Sequence, residues 1–210
     1  ALTTSGMIAA IAVGTCAAAA GWQWACLLVF FFVSSSALSP LGAGVKRQRT
    51  AGRVAKTGAR DAAQVLANGG LFAAGALITS VAPNSLVAAA IGALAGAAGD
   101  TWATEIGVIS SQTPRLITSL GTVPAGTSGG VTLAGTLAGC VGACSIAGAA
   151  MLLHLGRGLA LPILLGGIAG MLTDSLLGAS AQAQRWCDRC GESTERIVHT
   201  CGRTTRHQRG

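Results

Sequence analysis

Tyrosine is absent from this 210-residue chain, and only five prolines and four phenylalanines occur. Charge is also sparse. Ten per cent of the residues are Asp, Glu, Lys or Arg, against about a quarter in soluble domains, which excludes an ordinary soluble enzyme. No Gly-Lys-Ser/Thr run exists, so a Walker A nucleotide site is excluded as well. The chain opens with Ala1 and lacks a basic stretch before Ser5–Gly21 or a clear cleavage box after it. That segment therefore reads as a membrane helix rather than a signal peptide, with an upstream piece expected to be missing.

What is present is apolar surface and glycine: half of the residues are hydrophobic and 31 are Gly. The apolar runs are long enough to cross a hydrocarbon core of roughly 30 Å. Their approximate limits are 6–20, 22–39, 62–82, 85–109, 130–153 and 159–182. The expected fold is all-α and polytopic, with about six transmembrane helices. A five-helix reading, with 6–39 as one tilted span, is the alternative. Residues 1–182 form the expected transmembrane domain and 183–210 a basic Cys/His tail in the cytosol.

The net charge of +7 would suit nucleic acid, but its distribution points to membrane orientation instead. Basic residues gather at 46–60 (Lys46, Arg47, Arg49, Arg53, Lys56, Arg60) and at 185–209, with Arg115 in a third polar loop. Placing 46–60, 111–128 and 185–210 in the cytosol puts 13 of 14 cations inside, as membrane insertion prefers. A bacterial cytoplasmic membrane or a similar one is the expected location. The bland reading of 46–60 is topology and contact with anionic lipid.

An internal repeat favours six helices. Asn68-Gly69-Gly70 matches Ser128-Gly129-Gly130, and Gly92, Gly96 and Asp100 match Gly166, Gly170 and Asp174 at four-residue spacing. Ser5-Gly6 with Ser34–Ser36 resembles a worn third copy. Each copy is expected to be a helical hairpin. Glycines at i and i+4 share a face and let helices approach closely, so helix packing is their default role. A carboxylate inside a membrane is costly and usually functional.

Asp100, Glu105 and Asp174 are accordingly the candidate catalytic residues. Carboxylates beside Thr104 and Ser175 form a hard-oxygen set that suits Mg²⁺. Asp100 and Glu105 diverge by about 140° around a helix, so they do not share one narrow face. The null is a buried Asp satisfied by hydroxyls and backbone. Thr127, Ser128, Gly129 and Gly130, preceding a helix, offer capping groups and backbone N–H donors for an anion. Asn68 and Arg115 join them as candidate phosphate ligands. In the tail, Cys187-x2-Cys190 and His199-x-Cys201 reach the ligand count of a Zn²⁺ site; free cytosolic thiols are the other reading. Cys16, Cys26, Cys140 and Cys144 read as small packing residues.

The runs Gln64–Gly70, Asp100-Thr101-Trp102-Ala103-Thr104-Glu105, Pro114–Thr118, Gly126–Gly130 and Asp174–Ala179 carry a resemblance. Together they resemble the integral-membrane phytyl-phosphate kinase family of tocopherol synthesis and its bacterial and animal relatives, over about residues 2–205. The resemblance implies phosphoryl transfer from a nucleoside triphosphate to an isoprenoid monophosphate lipid, with Mg²⁺. Two departures stand out. The family's Asn-Asp segment beyond the tail is not in this chain, and loop 120–125 lacks the basic residues of some relatives. A lipid cytidylyltransferase or lipid-alcohol kinase would use the same site. An ion-coupled transporter would use intramembrane carboxylates too, though its repeats are more often inverted.

Overall fold

The computed structural model describes residues 2–51, 59–79 and 84–209. Arg53 and Lys56 of the first basic cluster, and the end of the 62–82 apolar run, lie outside the described residues. Six apolar helices fall on the six apolar runs: α1 Thr4–Ala20, α2 Trp22–Leu38, α4 Ala62–Ile78, α5 Asn84–Ile109, α6 Leu133–Leu152 and α7 Ala160–Ser180. A short basic helix, α3 Ala43–Thr50, follows α2 at an angle of 75°.

Three of these, Leu86–Ile109, Leu133–Leu152 and Ala160–Ser180, are long and apolar enough to cross a membrane. The bent pair α2–α3 raises the number to four. Helices α1 and α4 have 17 residues each, about 25 Å of rise against a hydrocarbon core of roughly 30 Å. The break between α1 and α2 is Gly21, at φ +140°, a backbone state that side chains rarely tolerate.

Local sequence explains where the helices begin. Thr3 caps α1 by accepting from the Gly6 N–H at 3.1 Å. Asp61 and Gln64 form a reciprocal capping box on α4, both bonds 3.1 Å. Thr132 caps α6, its hydroxyl accepting from Gly135 N–H at 3.0 Å. Helix α6 therefore starts after residues 130–131, which belong to a strand instead.

Helix α5 is the centre of the bundle, touching α2, α3, α4, α6 and α7. Ile91, Leu94, Ala95 and Ala98 on α5 are fully buried, together with Ile146 of α6 and Ile163 of α7. Trp24 and Phe72 stack at 5.4 Å between α2 and α4. Helices α5 and α7 cross in parallel along two rows of glycine. A Cβ built on Gly92 would lie 3.8 Å from Gly166 Cα, and one on Gly96 3.5 Å from Gly170 Cα. The repeated glycines thus face each other, copy against copy, as small residues do where helices approach closely.

The fold is mostly helical, but not all of the chain is. Strands β1 Arg115–Leu116 and β2 Gly130–Val131 pair antiparallel in the α5–α6 connection. The tail forms a three-stranded antiparallel sheet from β3 Gln184–Cys187, β4 Glu192–Thr194 and β5 Arg206–Arg209, in the order β4-β3-β5. Composition gave no sign of either sheet, because both are short and lie among polar residues.

Candidate functional site

The register of the α5–α7 crossing decides the site. With Gly92 against Gly166 and Gly96 against Gly170, one further turn brings Asp100 beside Asp174. Both carboxyl groups line the same two cavities and act on each other electrostatically. Asp100 is half-buried and Asp174 exposed; two neighbouring carboxylates repel, and a proton or a cation between them relieves the repulsion. The cavity they line adds the hydroxyls of Thr104, Ser128 and Ser175, oxygen donors that suit a hard cation.

Two cavities meet at this pair. One, about 490 Å³, is polar and lined by Asp100, Thr104, Asp174, Ser175 and the segment Ala125–Thr132. The other, about 430 Å³, is a groove between α4 and α7 floored by α5, lined by Leu71, Ala88, Gly92, Gly96, Gly166 and Gly170. Both carboxylates line both cavities. From Asp100 to Ala88 the groove follows about 18 Å of helix.

The loop 127–130 is seated on α7 one turn beyond Asp174. Gly129 has φ +76°, and a Cβ there would come within 2.4 Å of Ala179 Cβ, so only glycine fits. Gly130 N–H donates to Thr127 O at 2.9 Å, and Ile117 N–H donates to Gly129 O at 2.9 Å. Ser128 donates its hydroxyl to the carboxylate of Glu195, a tail residue that also lines the polar cavity. Sequence reasoning missed Glu195. It lies 15 residues beyond Ser180, the end of the last helix, and only folding of the tail back onto the loop brings it to the cavity that Asp174 lines.

The remaining candidate residues divide differently. Thr127–Gly130 do line the cavity, but as a turn ahead of the capping residue Thr132, not as a helix N-terminus. Asn68, Gly69 and Gly70 lie inside α4, where backbone N–H groups are committed to the helix, so no backbone anion site forms there. The Asn68 side chain lines the apolar groove. Arg115 is exposed, and its guanidinium donates to Leu120 O at 2.9 Å within its own loop.

Glu105 is not brought to the aspartate pair. Its carboxylate forms an ion pair with Lys46 and accepts from Ser39 Oγ at 3.0 Å. The Lys46 ammonium also donates to Leu38 O at 2.9 Å and Ser39 O at 3.2 Å. Arg49 donates to Val108 O at 3.1 Å and to Ser110 O, a cation on the negative end of α5. Glu105 thus clamps the α2–α3 elbow to α5, on a face set by the 140° divergence from Asp100. Glu105→Gln is expected to lower thermal stability by about 1–3 kcal/mol, since a half-buried ammonium loses its counter-ion. A thermal-shift measurement in detergent checks it, and an unchanged midpoint would mean that the ion pair adds nothing to stability.

The tail gathers a second cluster. The ligand atoms of Cys187, Cys190, His199 and Cys201 all lie within 4.8 Å of one another. A backbone hydrogen bond from Arg203, with the His199 ring, holds the Cys201 thiol down to about 6. The neighbouring Cys201 pushes Cys190 up to about 11.

Known proteins share this sequence pattern. Protein PGR of Arabidopsis thaliana is 34% identical over 213 residues, covering 89% of this chain and 74% of the plant protein. An uncharacterized membrane protein of Methanocaldococcus jannaschii is 35% identical over 159 residues, covering 76% of this chain and 65% of its own length. No solved structure matches. Residues 1–210 match the family described as integral membrane protein DUF92. Matched over its whole length by that family, the chain belongs to the DUF92 family of integral membrane proteins.

Proposed function

We propose that this protein is a membrane kinase that transfers a phosphoryl group from a nucleoside triphosphate to an isoprenoid monophosphate. The observation that carries the reading is the meeting of a polar and an apolar cavity at Asp100 and Asp174. A lipid phosphate needs both: a groove for its tail and a polar chamber for its charged head. The glycine-floored groove would take the isoprenoid chain, and the chamber at Ser128 and Thr104 would take the two phosphate groups. A pocket of several hundred Å³ is of the size that such ligands use.

In the reaction, an oxygen of the prenyl monophosphate attacks the γ-phosphorus of the triphosphate. The bond from that phosphorus to the β–γ bridging oxygen breaks, and the nucleoside diphosphate leaves with the electron pair. A phosphate monoester is already ionised near neutral pH, so no general base is required. Positioning and charge neutralisation do the catalysis. The oxygen-only donor set of Asp100 and Asp174 fits Mg²⁺, and a bound Mg²⁺ would supply the neutralisation that the crowded phosphate oxygens need. The hydroxyls of Thr104 and Ser175, and the loop at Thr127–Gly130, would orient the phosphates in the chamber they line.

Purified protein with γ-labelled CTP, ATP, GTP or UTP and a panel of prenyl monophosphates tests the reading. Labelled prenyl diphosphate is the expected product. Label on a prenyl alcohol, or a cytidylyl adduct, would assign the site to the lipid-alcohol kinase or cytidylyltransferase alternative.

The reading needs six crossings, with 46–60, 111–128 and 185–210 on one side, the cytosol, where nucleotides are found. Supporting it, six apolar helices alternate with these segments, and α3 and the tail both touch the same end of the bundle through Lys46–Glu105 and Ser128–Glu195. Cysteines introduced at the exposed positions Thr122 and Gln208 should react with an impermeant thiol reagent from the same side, in a background of native-cysteine replacements. Labelling from opposite sides would break the topology.

A further inference from the structure

The tail has almost no core. Its fully covered side chains are Cys187, Thr194, His199 and Thr205, while Ile197 and Val198 are exposed. Residues 184–209 are fewer than the roughly 40 below which disulfides or a metal usually replace a hydrophobic core. No cysteine here is in a disulfide. The sheet therefore needs another source of stability.

The cysteine–histidine cluster has the geometry to supply it. Cys187 Sγ and Cys201 Sγ are 3.6 Å apart, and His199 Nδ1 lies 3.3 Å from Cys201 Sγ. Ligands on a tetrahedral zinc, at about 2.3 Å for sulfur and 2.0 Å for nitrogen, are separated by about 3.5–3.8 Å. Each ligand pair sits on a tight turn that ends in glycine. Gly191, at φ +65°, donates its N–H to Cys187 O, and Gly202, at φ +80°, donates to His199 O, both at 2.9 Å. The two turns aim their ligands at one point. The other ring nitrogen, His199 Nε2, is buried with no hydrogen-bond partner among the described residues, and Glu192 Oε2 stands 4.0 Å away. A carboxylate on the far nitrogen is how ligating imidazoles are commonly oriented.

We propose that Cys187, Cys190, His199 and Cys201 bind one Zn²⁺ that folds the tail and so holds Glu195 against Ser128 at the mouth of the carboxylate chamber. Glu195 lies on the segment between Cys190 and His199, so the ion closes that segment at both ends. Zinc suits three thiolates and one imidazole, whereas Mg²⁺ suits the oxygen set at Asp100 and Asp174. One chain thus carries two metal sites of different softness, joined by the Ser128–Glu195 hydrogen bond. That Glu195 serves a phosphate chamber rests on the kinase reading; zinc binding and the joining of tail to loop do not.

The full chain, purified in detergent without added metal, is analysed for metal content and re-examined after exchange into Co²⁺. About one zinc per chain and the absorption of a tetrahedral cobalt–thiolate centre are expected. Cys190→Ser and Cys201→Ser should lose most of the zinc, and Glu195→Gln should keep it. Hydrogen exchange, followed by mass spectrometry with and without a zinc chelator, should rise at 184–209 and also at 127–131. The chelator arm uses the unmodified protein, so a variant that fails to fold does not blunt the test. A metal-free protein with no cobalt–thiolate spectrum overturns the site, as does recovery of Cys187 and Cys201 in a disulfide. Zinc loss that leaves exchange at 127–131 unchanged overturns the link between tail and loop. Neither readout involves phosphoryl transfer, so a failure here is distinguishable from failure of the kinase reading.

Discussion

Asp100→Asn and Asp174→Asn are each expected to abolish phosphoryl transfer while leaving a folded, extractable protein. Asparagine keeps the shape of the side chain and removes only its charge. The variant gives up a repulsion between two neighbouring carboxylates, so the α5–α7 crossing has no reason to open. The transition state, by contrast, gathers phosphate charge at this point. Losing one carboxylate from a metal-binding pair costs several kcal/mol of barrier, about a 10²- to 10⁴-fold loss in turnover at 1.36 kcal/mol per decade. The measurement is kcat for the labelled-nucleotide assay, with thermal stability in detergent as the control for folding. Full activity in both variants would remove the carboxylate pair from the chemistry and leave the polar chamber without a role.

Gly166→Leu is the second large effect, and it separates the groove from the chamber. A Cβ at Gly166 meets only Gly92 Cα, at 3.8 Å, so the backbone accepts a side chain there without strain. Because Gly166 lines the groove between α4 and α7, the larger side chain is expected to take up part of its space. A long prenyl phosphate loses the space for its chain, while a short one, held mainly by its head, does not. The expected result is a loss in kcat/KM of about 10²-fold for a long-chain substrate, the value of roughly 3 kcal/mol of lost apolar burial. A five-carbon prenyl phosphate should be affected much less. Equal loss for both lengths would mean that the groove packs helices and holds no substrate. Gly167 makes a poor substitute for this test, because a Cβ there would strike Ala95 Cβ at 2.7 Å and disturb the crossing itself.

The two results together distinguish three roles for one helix face. Gly167, whose Cβ would strike Ala95, sets how closely α5 and α7 approach, and the register of that approach sets the aspartate pair. What remains open beside the crossing becomes the groove. A transporter would also need membrane carboxylates, but a groove closed at the chamber by a loop and a tail acid gives a lipid head a place to stay. Chain-length selectivity in the Gly166 variant is the property that a transporter of small ions would lack.

Sequence alone determined that this chain is a membrane protein, where its apolar helices lie, and which residues repeat. Those properties follow from transfer free energy and helical period, which act locally and need no knowledge of neighbours. The four-residue spacing of Gly92, Gly96 and Asp100, echoed at Gly166, Gly170 and Asp174, was legible for the same reason. That the two stripes face each other, rather than two unrelated partners, is a tertiary fact. So is the removal of Glu105, which Lys46 holds on another face after a 75° bend that no composition shows. Asn68-Gly69-Gly70 and Ser128-Gly129-Gly130 match as strings yet differ as structures. Asp61 and Gln64 start a helix ahead of the first, whereas pairing with Arg115–Leu116 draws the second into a strand. Glu195 carried no local signal at all. Its place beside Ser128 depends on the fold of a tail in which Cys187, Cys190, His199 and Cys201 converge from a stretch of 15 residues, and long-range closure of that kind is visible only in three dimensions.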